Sequence, residues 1–223
     1  MAVEIWIWVV LMRANWSTGI CFWMPLAYLI PVTLGVSPSQ RMAIAAGVDT
    51  FEHGTPSERE IDDALARGIT WVPTINISVE YARWCDRRRG HADPRIARQA
   101  EAQYDEAQAH LEAKRVSLAY ALQGGLRLGA GTDSWLGGVR FAAMADEVRL
   151  LVAYGCTPMQ GIQAATAWPA KAMGWADIGT LETGKLADVI AVAGDPLNDI
   201  GALDRVVLVV QEGKVVRSCT GAA

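Results

Sequence analysis

Between residues 29 and 174 the sequence alternates short apolar runs with longer amphipathic stretches. The apolar runs predict buried strands at residues 29–36, 49–51, 69–75 and 126–130. The amphipathic stretches predict helices at residues 38–46, 55–68, 93–124 and 141–153, followed by two shorter ones near 157–166 and 168–173. Strands that alternate with helices in this way favour parallel βα units and therefore an α/β fold.

After residue 174 the pattern changes to short β-rich runs. They are at residues 186–192, 206–211 and 215–218, and the Glu212-Gly213-Lys214 sequence is typical of a hairpin turn. This tail predicts a small antiparallel sheet.

Local signals mark the ends of several predicted helices. Residues 55–58 and 157–160 both fit a capping box with a proline in the first turn, and Asp93-Pro94 opens the longest helix. The polar stretch from residue 76 to 95 is expected to be a loop after a strand, which is where specificity residues usually lie. Its unassigned candidates for substrate contacts are Tyr81, Trp84, Arg87, Arg88 and Arg89.

Two of the predicted strands end in side chains that can carry chemistry. Residues 49–51 lead into Glu52, His53 and Gly54, and residues 126–130 lead into Asp133. In parallel α/β folds the carboxyl ends of strands face the active-site side, so these two ends can face a common substrate. Histidine plus aspartate suits a divalent ion such as Zn²⁺, and water bound to zinc has a pKa of about 7.

Simpler interpretations of these residues stay open at this point. A lone histidine is often a core or capping residue, and an aspartate in a Gly-Thr-Asp-Ser turn often caps a turn or a helix. Two ligands are also fewer than the three that a catalytic zinc normally takes from the protein. His91 and His110, which lie among charged residues, are predicted to be solvated surface residues.

The net charge and the cysteine spacing restrict the expected partner and the expected compartment. A net charge of -4 provides no electrostatic footprint for nucleic acid, so a small-molecule substrate is the expected partner. The four cysteines lie far apart and without metal-ligand spacing, which fits thiols in a reducing compartment and predicts a cytoplasmic protein.

Residues 1–28 differ in composition from the rest of the chain. Residues 1–40 carry two charges, Glu4 and Arg13, and four of the nine tryptophans. The uncharged run at 20–36 contains two prolines and is shorter than the roughly 20 residues that cross a bilayer. A membrane segment is therefore the less favoured interpretation. Another interpretation is that most of residues 1–28 are not native to this fold and are, for example, the product of a shifted reading frame.

Several runs together resemble the carboxyl-terminal half of the metal-dependent amidohydrolase superfamily, in its imidazolonepropionase-like branch. They are AIAAGVDTFEHGT (43–55), RGITWVPTI (67–75), LRLGAGTDS (126–134), GCTPMQGIQAATAWPAKAMG (155–174) and GTLETGKLADVIAVAGDPLNDI (179–200). The resemblance implies an α/β fold in which residues 29–178 form a partial TIM-like (β/α) barrel, about its last four βα units. Residues 179–223 would then supply strands of a small β-sandwich, and residues 1–28 stand apart as the atypical apolar segment.

The resemblance also implies roles for the two strand ends. His53 matches a metal-binding histidine, and Asp133 matches an aspartate that binds metal and moves the proton from water to the leaving group. The implied activity is metal-dependent hydrolysis of C–N bonds other than peptide bonds, in cyclic amides or amide-like substrates, with a divalent metal, most simply Zn²⁺.

The sequence also departs from the family pattern. No histidine precedes His53, the first lysine is Lys114, and Leu34 or Gly35 stands where the family has a strand-end histidine. We therefore expect this chain alone to be inactive or nearly so, and its exposed strand edges to favour a homo-oligomer. The alternative function is a non-catalytic fragment, membrane-associated or used in protein interactions, that keeps this half of the scaffold.

Overall fold

The computed structural model describes residues 5–9, 38–133 and 144–219, and it shows an α/β chain with two separate sheets. The helices are α1 (Pro38–Ala46), α2 (Glu58–Arg67), α3 (Ile75–Arg89), α4 (Pro94–Gly124), α5 (Met144–Ala153), α6 (Pro158–Ala164) and α7 (Ala167–Ala172). The strands are β1 (Ile5–Val9), β2 (Thr50–Glu52), β3 (Thr70–Val72), β4 (Val189–Ala193), β5 (Val206–Gln211) and β6 (Lys214–Ser218). A short 3-10 helix, Ile200–Asp204, precedes β5.

The smaller sheet is parallel, as the alternation of strands and helices predicts. β2 pairs with β3 so that Phe51 lies opposite Trp71. On the other side of β3, Leu128 forms a parallel bridge to Trp71, and two backbone bonds join Trp71 N to Arg127 O at 3.1 Å and Gly129 N to Trp71 O at 2.8 Å. The predicted strand at 126–130 is thus present as a single bridge, and the three parallel stretches lie side by side in chain order.

Glycines allow this third stretch to run close beside β3. A Cβ atom at Gly129 would lie 2.8 Å from Val72 Cγ2, and one at Gly131 would lie 2.6 Å from Val72 Cγ1. Both distances are shorter than any ordinary carbon–carbon contact, so a larger residue would push the stretch that leads to Asp133 away from the sheet.

The core lies between the parallel sheet and the helices that cover it. Trp71, Leu128, Leu118 and Ile61 are fully or almost fully buried, and they belong to one apolar cluster. The rings of Phe51 and Trp71 stack with their centroids 6.1 Å apart. This apolar packing fixes the relative positions of β2, β3 and the stretch at 126–130.

The larger sheet is antiparallel, with the strand order β1, β4, β5, β6. The tail supplies three of these strands, and the predicted strand at 206–211 coincides with β5. β1 pairs with β4, with Ile5 opposite Ala193 and Val9 opposite Val189. Five residues of the apolar segment 1–28 therefore share a sheet with the carboxyl-terminal strands.

Some of the predictions lie outside the described residues. The expected strand at 29–36 and the uncharged run at 20–36 belong to this part of the chain. Within the ranges that the structure covers, no helix has both the length and the apolar character needed to cross a membrane.

The structure corrects several predicted element boundaries. The expected loop at 76–95 is mostly helical, because α3 begins at Ile75 and ends at Arg89. The strand predicted at 69–75 is limited to Thr70–Val72. The capping box of α2 uses Ser57 and Glu60, two residues after the predicted one, so Pro56 precedes the helix and is not in its first turn. The second predicted box, Thr157 with Gln160, is confirmed.

Helix α3 begins at a buried carboxylate that comes from α5. Glu147 accepts hydrogen bonds from Ile75 N at 2.8 Å and from Asn76 N at 2.7 Å. Burial raises the pKa of Glu147 to about 7, although these two bonds and the charge of Lys114 act in the opposite direction. The carboxylate therefore satisfies two amide groups that would otherwise be left unpaired at the end of a buried helix.

Lys114, on α4, is the second charged group buried at this turn. Its Nζ donates to Pro73 O at 2.5 Å and to Ser78 Oγ at 3.3 Å. Burial lowers the pKa of Lys114 to about 8, and the nearby charge of Glu147 raises it. The turn between β3 and α3 is thus fixed by one cation and one anion that lie far from it in the sequence.

We expect Leu128→Ala to destabilise the protein by about 2–5 kcal/mol, because it leaves a cavity beside Trp71 in a fully buried part of the core. Urea unfolding followed by circular dichroism measures the change. The matched control is Leu181→Ala, whose side chain is 59% exposed and should change stability by less than about 0.5 kcal/mol. Equal effects of the two substitutions would contradict the proposed core.

Glu147→Gln should remove one source of the pH dependence of folding stability. Because the pKa of Glu147 is raised from 4.5 to about 7, the folded chain retains a proton there that the unfolded chain has released. Stability from this group therefore falls as pH rises between these two values. Glutamine does not titrate, so the variant should lack that fall in urea unfolding measured at several pH values. The exposed Glu106→Gln control should follow the wild type, and parallel profiles for all three chains would refute the assignment.

Candidate functional site

The backbone of His53 is fixed on both sides at the end of β2. His53 N donates to Val72 O at 2.8 Å, and His53 O accepts from the indole Nε1 of Trp71 at 2.8 Å and from Gln40 Nε2 at 3.3 Å. The residue has a φ of 62°, in the left-handed region that few residues other than glycine adopt. These bonds offset the cost of that conformation.

The imidazole of His53 lies between two oxygen-bearing side chains. Its Nδ1 is 2.7 Å from Thr74 Oγ1, and its Nε2 is 3.9 Å from Asp133 Oδ2. Thr74 and Asp133 also have positive φ values, 47° and 49°. The three residues follow three neighbouring parallel stretches, so the sheet order brings together the two strand ends singled out in the sequence. Their proposed roles in metal binding and catalysis stay predictions.

Electrostatics favour the neutral form of His53. Burial lowers the pKa of this imidazole; the carboxylate of Asp133 raises it in part, and the cation of Lys114 lowers it further. At neutral pH the ring is therefore uncharged, and one of its nitrogens offers a lone pair. A neutral imidazole is the form that binds a metal ion.

The donor set fits a divalent ion in chemistry and spacing but not in number. Ligands bound at about 2.1 Å in tetrahedral geometry lie about 3.4 Å apart, close to the 3.9 Å between His53 Nε2 and Asp133 Oδ2. Across the described ranges, however, no group of three or more histidines, cysteines and acids could bind a metal ion. The pair is thus one side chain short of the three protein ligands that a catalytic zinc normally takes.

Three neighbours of the site were not identified from the sequence. Thr74 contacts the imidazole, Trp71 binds the backbone of His53, and Lys114 donates to the carbonyl just before Thr74. Trp71 and Thr74 lie in the predicted strand 69–75, but their side chains gave no sign of which groups they would contact. Lys114 lies among charged residues of a long helix, which in sequence resembles a solvated face.

The other histidines lie elsewhere. His91 is exposed as predicted, and its Nδ1 accepts from Asp93 N at 3.0 Å. The prediction that His110 is a solvated surface residue is wrong, because this side chain is half-buried. Burial, assisted by the charge of Lys114, lowers the pKa of His110 to about 4.

The candidate specificity residues lie on α3 instead of a loop. Tyr81 and Trp84 stack with ring centroids 5.9 Å apart, and the Arg88 guanidinium lies 4.3 Å from the centre of the Trp84 ring. These contacts join neighbours on one helix face, so a role in substrate binding stays a prediction.

A surface cavity of about 260 Å³ lies between α1 and α2. It is lined by Arg41, Ile44, Ala45, Arg59, Glu60, Asp63 and Arg67. None of them stands at the end of a parallel strand, and the cavity is not part of the candidate site.

Comparisons with known proteins agree with this architecture. The model of the amidohydrolase family matches residues 36–216. Among solved structures the chain is similar to an Xaa-Pro dipeptidase, with 29% identity and a TM-score of 0.65 over 81% of this chain and 42% of that one. It is also similar to a Bifidobacterium longum protein described as a prolidase, with 32% identity, a TM-score of 0.67 and coverages of 81% and 45%.

A third solved structure, an A. niger ochratoxinase, is 25% identical with a TM-score of 0.66, over 82% of this chain and 40% of that one. The chain thus spans between 40% and 45% of the length of these three structures. No match is found among curated protein sequences. Because the family match extends from just before α1 into β6, and so includes both strand ends described above, the chain belongs to the amidohydrolase family.

Proposed function

We propose that this chain forms part of a metal-dependent hydrolase that cleaves C–N bonds other than peptide bonds, in cyclic amides or amide-like substrates. The observation that carries the proposal is the 3.9 Å approach of His53 Nε2 to Asp133 Oδ2, at the carboxyl ends of parallel stretches. Family membership supports hydrolysis, and the donor chemistry of this pair supports a divalent metal, most simply Zn²⁺.

Each of the two residues has a role that its position allows. His53 would bind the ion through Nε2, and Asp133 would bind it through its carboxylate. When bound, the ion would polarise the substrate carbonyl and lower the pKa of water. The carboxylate of Asp133 would accept the proton of the attacking water and deliver it to the leaving nitrogen, which is general base and then general acid catalysis. The backbone bonds of His53 would keep its imidazole in place during both steps.

The architecture supports a partial barrel. Two parallel strands and one bridged stretch lie side by side in chain order and are each followed by helix, which is the arrangement of consecutive βα units. We propose that they are three of the last four units of a (β/α) barrel, and that β4, β5 and β6 belong to a flanking β-sandwich. The remaining metal ligands would come from outside the described residues, from a second copy or from a partner chain.

A second candidate is a non-catalytic fragment that keeps the scaffold for interactions. The ligand count favours it, because the part of the chain that the structure describes provides two donors where a catalytic site needs three. Zinc binding and hydrolysis distinguish the two candidates.

We expect the purified chain to retain less than one equivalent of zinc after dialysis, and to bind added zinc through the His53–Asp133 pair. His53→Asn and Asp133→Asn should each weaken zinc binding at least about tenfold, because each removes one ligand. Competition with a chromogenic chelator measures this affinity. The control is His91→Asn, an exposed histidine whose loss should leave the affinity unchanged. Unchanged binding in His53→Asn would remove this imidazole from the site.

Hydrolysis is tested with the zinc-loaded chain and a panel of a hydantoin, a lactam, an N-acyl amino acid and an Xaa-Pro dipeptide. The dipeptide contains a peptide bond and is included because one solved relative is an Xaa-Pro dipeptidase; cleavage of the dipeptide alone would overturn the restriction to other C–N bonds. If the chain is catalytic, Asp133→Asn should lower kcat at least about 100-fold with little change in KM, because it removes a proton-transfer group. The exposed Asp105→Asn should keep full activity. Zinc binding without hydrolysis of any substrate would favour the non-catalytic candidate.

A further inference from the structure

The hydroxyl of Thr74 makes two short contacts at the candidate site. Its Oγ1 lies 2.7 Å from His53 Nδ1 and 2.8 Å from the carbonyl oxygen of Pro73. Thr74 is 3% exposed and the His53 side chain is 35% exposed, so the contact with Pro73 O is shielded from water and the contact with His53 is partly shielded. At such distances each contact needs a hydrogen atom between its two heavy atoms, since two lone pairs facing each other would repel.

Counting hydrogen atoms assigns a direction to each bond. A threonine hydroxyl has one hydrogen to donate, and a carbonyl oxygen has none. The contact with Pro73 O therefore uses the hydroxyl hydrogen. The contact with His53 then needs a hydrogen from the imidazole, which must be on Nδ1. With the opposite direction, in which Thr74 donates to a bare Nδ1, two oxygen atoms would face each other at 2.8 Å without a hydrogen.

We propose that Thr74 is a positioning residue that fixes His53 in the tautomer with hydrogen on Nδ1. In this tautomer the lone pair of the neutral ring is on Nε2, the nitrogen that lies 3.9 Å from Asp133 Oδ2. Which imidazole nitrogen binds a metal or accepts a proton is set by the hydrogen bond of the other nitrogen. Thr74 thereby directs the reactive nitrogen of His53 toward the carboxylate.

The surroundings of Pro73 and Thr74 support this direction. The carbonyl of Pro73 has two lone pairs, and Lys114 Nζ donates to the same oxygen at 2.5 Å, so both lone pairs have a donor. Thr74 has a φ of 47°, which is costly for a β-branched residue and indicates that the turn is fixed by its neighbours. Glu147 fixes the next two residues through their amide groups. These contacts hold Oγ1 within reach of both His53 Nδ1 and Pro73 O, so the short distance to each of these atoms decides where the hydroxyl hydrogen lies.

The tautomer can be observed directly by NMR in the metal-free chain labelled with ¹⁵N-histidine. The full chain contains three histidines, and spectra of His91→Asn and His110→Gln identify the signals of the other two. In the wild type we expect the Nδ1-protonated tautomer of His53 to exceed the other about tenfold, because the alternative loses a short, partly buried hydrogen bond. A wild-type spectrum in which Nε2 of His53 carries the hydrogen would overturn the proposal without any variant.

Two variants test the hydroxyl itself. Thr74→Val keeps the shape and the β-branched backbone preference of threonine but has no acceptor, so the excess of the Nδ1-protonated tautomer should disappear. Thr74→Ser restores a hydroxyl and should restore the excess. If a folded Thr74→Val keeps the wild-type ratio, Thr74 does not set the tautomer. Should Thr74→Val fail to fold, the wild type and Thr74→Ser decide, and an Nε2-protonated His53 in either refutes the proposal.

This inference is independent of the proposed function, because it concerns hydrogen positions in the metal-free chain. A chain that shows the expected tautomer but neither binds zinc nor hydrolyses any substrate would refute the proposed function alone. A chain that binds zinc through His53 but has Nδ1 unprotonated without metal would refute the role of Thr74 alone.

Discussion

The position of Trp71 is the constraint on which the candidate site depends. Its backbone pairs with β2 on one side and bonds to Arg127 and Gly129 on the other. Its ring is fully buried and stacks on Phe51, while the indole Nε1 donates to the carbonyl of His53. One residue thus sets the register of three parallel stretches and the backbone conformation of the histidine at their ends. An apolar residue of similar size could fill the core, but it would leave the His53 carbonyl without this donor.

Two buried charged side chains also fix the turn beside the candidate site. Lys114 and Glu147 come from α4 and α5, and both end at the turn that contains Pro73 and Thr74. Burying a charged group is costly, because it loses its hydration, so these two side chains are weak evidence for net stability. Here the two groups satisfy backbone carbonyl and amide groups at the start of a buried helix. Their contribution is therefore to the shape of the turn, and through Thr74 to the orientation of the imidazole.

Periodicity and end signals in the sequence predicted much of the fold. The longest helix starts after Asp93 and ends at Gly124 as expected, and the second capping box and β5 are where the pattern placed them. These features depend on residues within a few positions of one another. Helix α3 was missed because the groups that cap its start come from Glu147, more than seventy residues away. The burial of His110 was missed for a similar reason, since charged neighbours on a helix do not show what packs against it.

The candidate site was predictable only in part. His53 and Asp133 could be singled out because the end of a strand is a local feature, and parallel order then places the two ends near each other. Thr74 could not be singled out, because its importance comes from a contact between different strand ends and from a neighbouring carbonyl. Two candidate metal ligands could be counted from the sequence, and within the ranges that it describes the structure adds no third.

The pairing of β1 with β4 has a consequence for the order of folding. Ile5 lies opposite Ala193, so this edge of the antiparallel sheet joins residues that are far apart in the sequence. During synthesis on the ribosome, β1 emerges long before its partner exists, and its apolar residues must wait while the helical region forms. The entropy of closing so large a loop grows only slowly with its length, but the search for the partner is slow. Pairing of β1 with β4 is therefore expected to be a late step of folding, after the local contacts of the helical region have formed.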